Sequence, residues 1–253
     1  MVIEIDIHQT LPAFNDSVAC IGYFDGIHLG HRSLLEKALK ESAISHADSA
    51  VICFEPDPLQ VITGKRPSHI LNYRQRIEKM QEYGIKNIIV YRFDEDLMKL
   101  DGKDFICGYL NRMNLLKLVC GYDFSFGSMG KGDPELLKEY GNFETIVIPE
   151  YTYTGEKVSS TRIKEALSRG DFSLVETLLG YAYYTDIKVV KCSRIGSNWL
   201  IEAIPSDPDV IIPEEGSYKG LDIKDNLFVF RSNIPYESGD LIRIRYKDYE
   251  RTV

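Results

Sequence analysis

Apolar residues along this chain keep two different rhythms. Through the first two thirds, short unbroken apolar runs alternate with helical-period stretches. Val18 to Tyr23 precedes Ser33 to Ile44, Ala50 to Phe54 precedes Tyr73 to Tyr83, and Asn87 to Phe93 precedes Lys103 to Met113. The runs Lys117 to Tyr122 and Phe143 to Pro149 follow, with the helix-like Pro134 to Tyr140 between them. A run without polar alternation suits a strand buried on both faces, so this order predicts an α/β fold, a parallel sheet covered by helices on both sides. Ser159-Ser160-Thr161 can cap a helix over Arg162 to Ser168 that stops at Gly170. Asp171 can cap a second, Phe172 to Leu179, that ends at Gly180.

From about Tyr183 the rhythm changes to short β-branched and aromatic runs: Thr185 to Lys191, Trp199 to Ala203, Val210 to Ile212, Leu227 to Phe230 and Leu241 to Tyr246. Turn residues such as Gly196-Ser197-Asn198, Pro205 to Pro208 and Ser238-Gly239-Asp240 separate them, which predicts a small all-β, barrel-like domain or sandwich. The expected division is residues 1–182 and 183–253.

Composition narrows the class. A chain of 253 residues exceeds a domain of roughly 100 to 200 residues, and 44% apolar with 27% charged residues is the balance of a globular protein. The net charge of −8, with basic residues scattered, argues against nucleic acid as a partner. No run reaches the ~18 apolar residues of a membrane span. Met1 to Thr10 carries Glu4 and Asp6 where a signal peptide would be basic, so a cytoplasmic location without membrane contact is expected. The five cysteines show no paired short spacing, which fits neither a disulfide framework nor a zinc knuckle. Cys20, Cys53 and Cys120 fall at or near predicted strand ends, where they either fill the core or, if exposed, are open to oxidation.

The candidate chemistry begins at Gly22-Tyr23-Phe24-Asp25-Gly26-Ile27-His28-Leu29-Gly30-His31, between a buried strand and a helix. An open α/β sheet binds ligands at such a place. Gly26 and Gly30 let backbone approach a phosphate, and the following helix offers unpaired N–H groups and the positive end of its dipole. His28 and His31, three apart, can share one face and donate hydrogen bonds to phosphate oxygens, taking up a proton as charge builds, since a free imidazole titrates at about 6.5. A capped helix with two exposed histidines is the bland reading; two His and three Gly in this setting favour a phosphate site. Three hydroxyls in a row at Ser159, Ser160 and Thr161 could serve phosphate or simply cap a helix.

These residues resemble a known family. GYFDGIHLGH is similar to the GxFDGxHxGH signature of nucleotidyltransferases with an HxGH motif, in the form found in bacterial FAD synthetases. Phe54-Glu55-Pro56-Asp57-Pro58 resembles the family's FxPHP segment, Cys120 to Gly132 its GxDFxFGxxxxG loop, Val158 to Lys164 its ISSTxIR motif, and Gly170 to Gly180 its GD…LLG stretch. The resemblance implies a Rossmann-like nucleotidyltransferase domain that transfers AMP from ATP to FMN, giving FAD and pyrophosphate with Mg²⁺ held mainly by the ATP phosphates. It places ATP along Gly22, Phe24, Asp25, Gly26, His28, Gly30 and His31 and along Ser159, Ser160, Thr161, Arg162 and Lys164, with His28, His31 and Lys164 catalytic. The flavin would lie at Phe54, Pro56, Asp57, Pro58, Asp123, Phe124 and Phe126.

Two positions depart from the family pattern: Asp57 stands in place of His, and Lys164 in place of Arg, which keeps charge but loses bidentate geometry. The family's second domain is a β-barrel riboflavin kinase with a PTAN motif. This chain has no PTAN, and Pro213 to Tyr218 only faintly resembles the PxxGVY turn, so a reduced barrel without kinase activity is expected. The alternatives are adenylyl transfer to another phosphorylated acceptor, such as a nicotinamide, pantetheine or polyol phosphate, and a non-catalytic flavin- or nucleotide-binding protein.

Overall fold

The computed structural model describes residues 1–218 and 220–246; residues 247–253 of the expected C-terminal domain lie outside them. Contacts divide the chain into two compact units. The first comprises Met1–Pro67 and Tyr73–Lys157; the second comprises Ser68–Asn72 and the chain from Val158 on.

The first unit is built on β1 (Val2–Ile5), β2 (Ser17–Ile21), β3 (Asp48–Glu55), β4 (Asn87–Arg92), β5 (Leu115–Gly121) and β6 (Glu144–Ile148). They form one sheet in the order β1-β4-β3-β2-β5-β6, parallel throughout. The helices between them are α1 (Leu29–Ile44), α2 (Pro58–Thr63), α3 (Tyr73–Glu82), α4 (Glu95–Lys99), α5 (Gly102–Gly108) and α6 (Pro134–Tyr140). This is the α/β architecture with a parallel sheet expected from the alternating runs, and it is Rossmann-like, as the resemblance implies. Successive side chains on β2 explain the absence of polar alternation. Val18 and Cys20 pack with Leu35, Ala38 and Met80 on one face, while Ala19 and Ile21 pack with Phe105, Ile106 and Leu110 on the other. Each face of the sheet has its own core, so neither set of alternate positions reaches water.

Winding outward from β2 to β3 and β4, then returning to β5 on the other side of β2, makes the C-terminal ends of β2 and β5 a topological switch point. The end of β3 with the loop after it carries the motif Phe54–Pro58, the loops leaving β2 and β5 carry Gly22–His31 and Tyr122–Phe126, and strand pairing fixes their register. Ile21 pairs Ile52, and the Gly22 N–H donates to the Ile52 carbonyl at 3.1 Å.

The first unit ends with a hairpin of β7 (Thr152–Tyr153) and β8 (Glu156–Lys157). The second carries α7 (Ser160–Ser168), α8 (Phe172–Leu179), β9 (Tyr184–Ile195), β10 (Asn198–Pro205), β11 (Gly216–Tyr218), β12 (Leu221–Lys224), β13 (Leu227–Ser232) and β14 (Leu241–Arg245). The strands form an antiparallel half-barrel in the order β11-β12-β13-β10-β9-β14, with a bulge at Glu202/Ala203. The expected strand over Val210 to Ile212 is absent. Val210 makes only an isolated parallel bridge to His69, where the His69 N–H donates to the Asp209 carbonyl and the Ile211 N–H to that of His69, both at 2.7 Å. That pairing accounts for the membership of Ser68–Asn72 in this unit. In this unit Phe172 of α8 stacks on Tyr246 and Tyr246 on Tyr183, with ring centroids 4.9 and 5.5 Å apart.

The helix expected over Lys103 to Met113 breaks at Tyr109 (φ −126°, ψ −62°) into α5 and a separate 3-10 turn, Leu110–Arg112. No helix among the described residues is long and apolar enough to cross a membrane.

Candidate functional site

The Gly22–His31 turn is strained where its sequence permits. Phe24 (φ 62°), Gly26 (φ 77°) and Ile27 (φ 41°) all lie at positive φ, a conformation that is ordinary for glycine and costly for a β-branched residue. Phe24 and Ile27 are fully buried in the α1-side core, which holds the turn in this shape. Gly22 lies under the Phe24 ring, where an added Cβ would meet ring carbons at 3.3 Å.

His28 is the N-cap of α1. Its Nδ1 accepts from the His31 backbone N–H at 3.3 Å, so α1 begins at Leu29 rather than at Ser33 as the periodicity suggests. The two imidazoles stack, with centroids 3.7 Å apart and planes 17° from parallel, and Phe24 meets the His31 ring edge-on at 5.3 Å. Burial holds His28 down at about 4; the charge of Lys157 adds to this, while Asp25 and Asp123 oppose it. Burial, the stacked His28 and the Arg76 charge push His31 well below its usual value. Both rings are therefore neutral near pH 7, and each carries one N–H to donate. His31 is only partly shielded overall, yet its Nδ1 is enclosed and has no hydrogen-bond partner.

On the neighbouring strand end, Phe54 packs edge-on against Phe93 at 5.9 Å at the margin of the opposite core. The following bond, Glu55–Pro56, is cis. Asp57 is buried, and its carboxylate accepts from the Leu59 N–H at 2.8 Å, capping α2 with Pro58 in the first turn. The acid that replaces the family's histidine thus has a local structural use.

After β5, Asp123 pairs with Lys157 of β8, and the Lys157 ammonium lies over the Tyr122 ring at 5.1 Å. Phe124 and Phe126 stack at 5.4 Å. Phe126 and Gly132 exchange backbone hydrogen bonds at 3.1 and 2.8 Å, closing a loop whose glycines have a steric reason. An added Cβ on Gly132 would strike the Phe126 ring at 2.9 Å, and one on Gly127 would strike the Gly102 backbone at 2.7 Å.

Sequence reasoning missed Arg76 and Lys157. Arg76 is buried; it donates to the Tyr23 carbonyl at 2.8 Å and to the Glu55 carboxylate at 2.5 Å, and its guanidinium sits 4.3 Å over the Tyr23 ring. Their signal was faint: an arginine in the polar run Arg74-Gln75-Arg76 reads as a solvated helix face, and Lys157 ends a strand of two residues.

Ser159, Ser160, Thr161, Arg162 and Lys164 belong to the second unit and are described within it. Ser159 caps α7 by accepting from the Arg162 N–H at 3.3 Å. Thr161 is exposed, Ser160 and Arg162 are half-buried, and the Lys164 ammonium donates to the Ser68 carbonyl at 2.5 Å.

Cys20, Cys53 and Cys120 are all buried. Burial raises all three thiols, Cys53 to about 12 and Cys120 to about 11. They are core residues, and the oxidation-prone alternative does not apply to them.

Comparison with known proteins joins this geometry to a family. The profile described as FAD synthetase matches residues 11–162, which contain the loops of β2, β3 and β5 and the start of α7. The chain belongs to the FAD synthetase family. Among curated relatives, a Listeria monocytogenes protein is 30% identical, over 80% of this chain and 67% of its own. A Buchnera aphidicola protein (from Acyrthosiphon pisum) is 33% identical, over 75% and 62%, and an Escherichia coli protein 33%, over 71% and 59%. Each is named a bifunctional riboflavin kinase/FMN adenylyltransferase. The matched part of this chain thus spans roughly three fifths to two thirds of their lengths. A solved structure described as a macrolide-efflux protein from Streptococcus pneumoniae superposes with a TM-score of 0.84 at 24% identity, over 100% of this chain and 90% of that chain. At that identity the likeness is one of fold.

Proposed function

We propose that this chain is an FMN adenylyltransferase: a phosphate oxygen of FMN attacks the α-phosphorus of ATP in line, the bond to the β-phosphate breaks, and FAD and pyrophosphate form. The observation that carries this reading is the stacked, neutral pair His28 and His31 at the N-terminus of α1, on a strained glycine turn at the switch point of a FAD synthetase-family sheet.

Phosphoryl-centred transfer asks a protein mostly for positioning and charge stabilisation. Gly22, Phe24, Asp25, Gly26 and Gly30 shape the turn that receives the triphosphate, and the N–H groups of α1 face its charge. Neutral His28 and His31 donate hydrogen bonds to the α- and β-phosphate oxygens, and the stacking that disfavours a proton on either ring is relieved once phosphate charge arrives. The family resemblance also assigns Ser159, Ser160, Thr161, Arg162 and Lys164 to ATP. Phe54, Phe124 and Phe126 supply flat apolar faces for the isoalloxazine, and Pro56, Asp57, Pro58 and Asp123 line the flavin phosphate side.

Mg²⁺ neutralises triphosphate charge during such a transfer. We assign it no protein ligand. Among the described residues, the His and Asp side chains close enough to share a cation are Asp6, His8 and Asp94, beyond the ends of β1 and β4 rather than at the β2 turn. The domains in this reading are residues 1–182 for adenylyl transfer and 183–253 as a small β domain without riboflavin kinase activity. What supports that loss is the missing PTAN motif together with the packing of Phe172, Tyr183, Tyr218 and Tyr246 on one another in the second unit. Nucleic acid and membrane are not partners in this reading, and the location is cytoplasmic.

The test is incubation with ATP, Mg²⁺ and FMN, read by FAD on chromatography, beside a parallel assay with riboflavin. FAD from FMN, with riboflavin left unphosphorylated, is the expected pair of results. No FAD, but pyrophosphate release with another phosphorylated acceptor, would replace FMN in the reading.

A further inference from the structure

A buried arginine is expensive. The guanidinium cannot shed its charge, and a buried ion pair rarely stabilises a fold better than apolar side chains of similar volume. Arg76, on α3, is 2% exposed, and its Nε is enclosed without a hydrogen-bond partner, so the side chain is not fully compensated even by its own contacts. Packing alone gives no reason for a charge here, and what the side chain touches does. One terminal nitrogen holds the Tyr23 carbonyl at 2.8 Å, inside the turn after β2. The other holds the Glu55 carboxylate at 2.5 Å, at the last residue of β3. The guanidinium plane also covers the Tyr23 ring at 4.3 Å and lies 6.0 Å from that of Tyr73. A single rigid fork from a third element therefore joins the turn after β2 to the end of β3, the strand beside it. Under the function proposed above, on which this inference rests, that turn takes the triphosphate and the loop leaving the end of β3 takes the flavin phosphate.

We propose that Arg76 is a positioning residue for adenylyl transfer: by fastening the Tyr23 turn to Glu55 it sets the distance and angle between the attacking phosphate oxygen and the α-phosphorus. The planar fork is essential to this task. A lysine in its place keeps the charge but cannot hold two acceptors along two fixed directions. Misplacing two reacting groups by about an ångström can cost on the order of 10²-fold in rate while leaving the binding of each substrate nearly intact. Arg76 has a second, electrostatic effect. The charges that bear on His31 are those of His28 in the same turn and Arg76 from α3, and Phe24 is the other ring against it; His28 in turn faces Asp25, Asp123 and Lys157. Removing the Arg76 charge lets His31 accept a proton more readily.

The test uses the full chain carrying R76K, R76M or E55A. FAD formation is measured against ATP, FMN and pH, with thermal melting and separate equilibrium binding of ATP and FMN alongside. R76K is expected to melt as a folded protein and to bind each substrate within about threefold of the wild type, while kcat falls by about 10- to 100-fold. R76M is expected to shift the acid limb of the rate profile to higher pH; R76K, which keeps the charge, should leave it in place. A shift in R76M without one in R76K does not follow from a merely structural role. A wild-type kcat in R76K would overturn the inference, as would a loss confined to KM. If R76K does not fold, E55A decides. It removes the acceptor for one arm of the fork and leaves the other on the Tyr23 carbonyl, so an intermediate fall in kcat supports the inference and an unchanged kcat sinks it. A wild-type chain that makes no FAD at all would remove the proposed function itself. Normal FAD synthesis with unaffected variants would remove only the role of Arg76.

Discussion

Three buried tyrosines in the half-barrel each place their hydroxyl on a partner: Tyr183 on the Ile211 carbonyl, Tyr218 on the Glu214 carbonyl, and Tyr246 on the Thr185 hydroxyl. At the turn after β2 the polar atoms are treated otherwise. His31 Nδ1 and Arg76 Nε are enclosed without partners, two imidazoles face each other at 3.7 Å, and two bulky residues sit at positive φ. Buried polar groups are normally satisfied, so the first arrangement is what folding alone produces and the second needs another reason to persist. Both regions are rich in rings. The contrast lies in whether hydrogen-bonding capacity is used up internally or held for a ligand.

The strongest way to break that comparison is at the histidines. His28→Asn keeps an N-cap acceptor for α1, and His31→Gln keeps a polar side chain, so neither should unfold the chain. Each is expected to lower kcat for FAD formation by about 10²- to 10³-fold with ATP and FMN affinities little changed, as for the loss of one transition-state donor. A loss of affinity without a loss of kcat would make the turn a binding site rather than a catalytic one.

Acid stability gives the next largest effect. His28 is neutral in the folded chain down to about pH 4, whereas in the unfolded chain it takes up a proton near 6.5. Between those values the unfolded state binds the extra proton, so stability falls as pH drops from 6.5 to 4 and is level outside that window. The loss from His28 is on the order of 3 kcal/mol, and His31 acts in the same direction. Urea unfolding across this range should show the slope in the wild type and a shallower one in His28→Asn. Equal slopes would mean that the imidazole is not held neutral.

How much of this contrast the sequence carried depends on the physics of each residue. The Gly22–His31 turn was legible because glycines and paired histidines between a strand and a helix are scarce without a use. The parallel sheet was legible because its strands are buried on both faces. Arg76 was not, since nothing in Arg74-Gln75-Arg76 distinguishes a buried guanidinium from a solvated one; its burial is decided by Tyr23 and Glu55, far away in the chain. The two-residue strands of the β7–β8 hairpin are too short to show a period. Val210 to Ile212 has the composition of a strand, and it joins His69 through a single bridge instead.

A gentler probe acts on the half-barrel. Tyr246→Phe removes the bond to Thr185 and strands that hydroxyl, at a cost of about 1 kcal/mol. Thermal melting should register the loss while the rate of FAD formation at saturating substrate stays at the wild-type value. A fall in rate matching that of the histidine variants would mean that the tyrosine stack is not merely internal packing.

The smallest effect is expected at Asp57, where the two kinds of region meet in one side chain. Its carboxylate caps α2 through Leu59, a structural use like that of the tyrosines, yet it sits in the loop proposed for the flavin phosphate. Asp57→Asn separates the two roles, because the amide oxygen can still accept from the Leu59 N–H while the negative charge is gone. Stability should then be unchanged, whereas Asp57→Ala, which removes the acceptor as well, should cost about 1 kcal/mol. If the charge opposes an incoming phosphate, Asp57→Asn lowers KM for FMN by about threefold at unchanged kcat, which is less than 1 kcal/mol at about 1.4 kcal/mol per tenfold. An unaltered KM for FMN in a variant of normal stability would place the flavin phosphate away from this loop. Asp57 would then be explained by α2 alone.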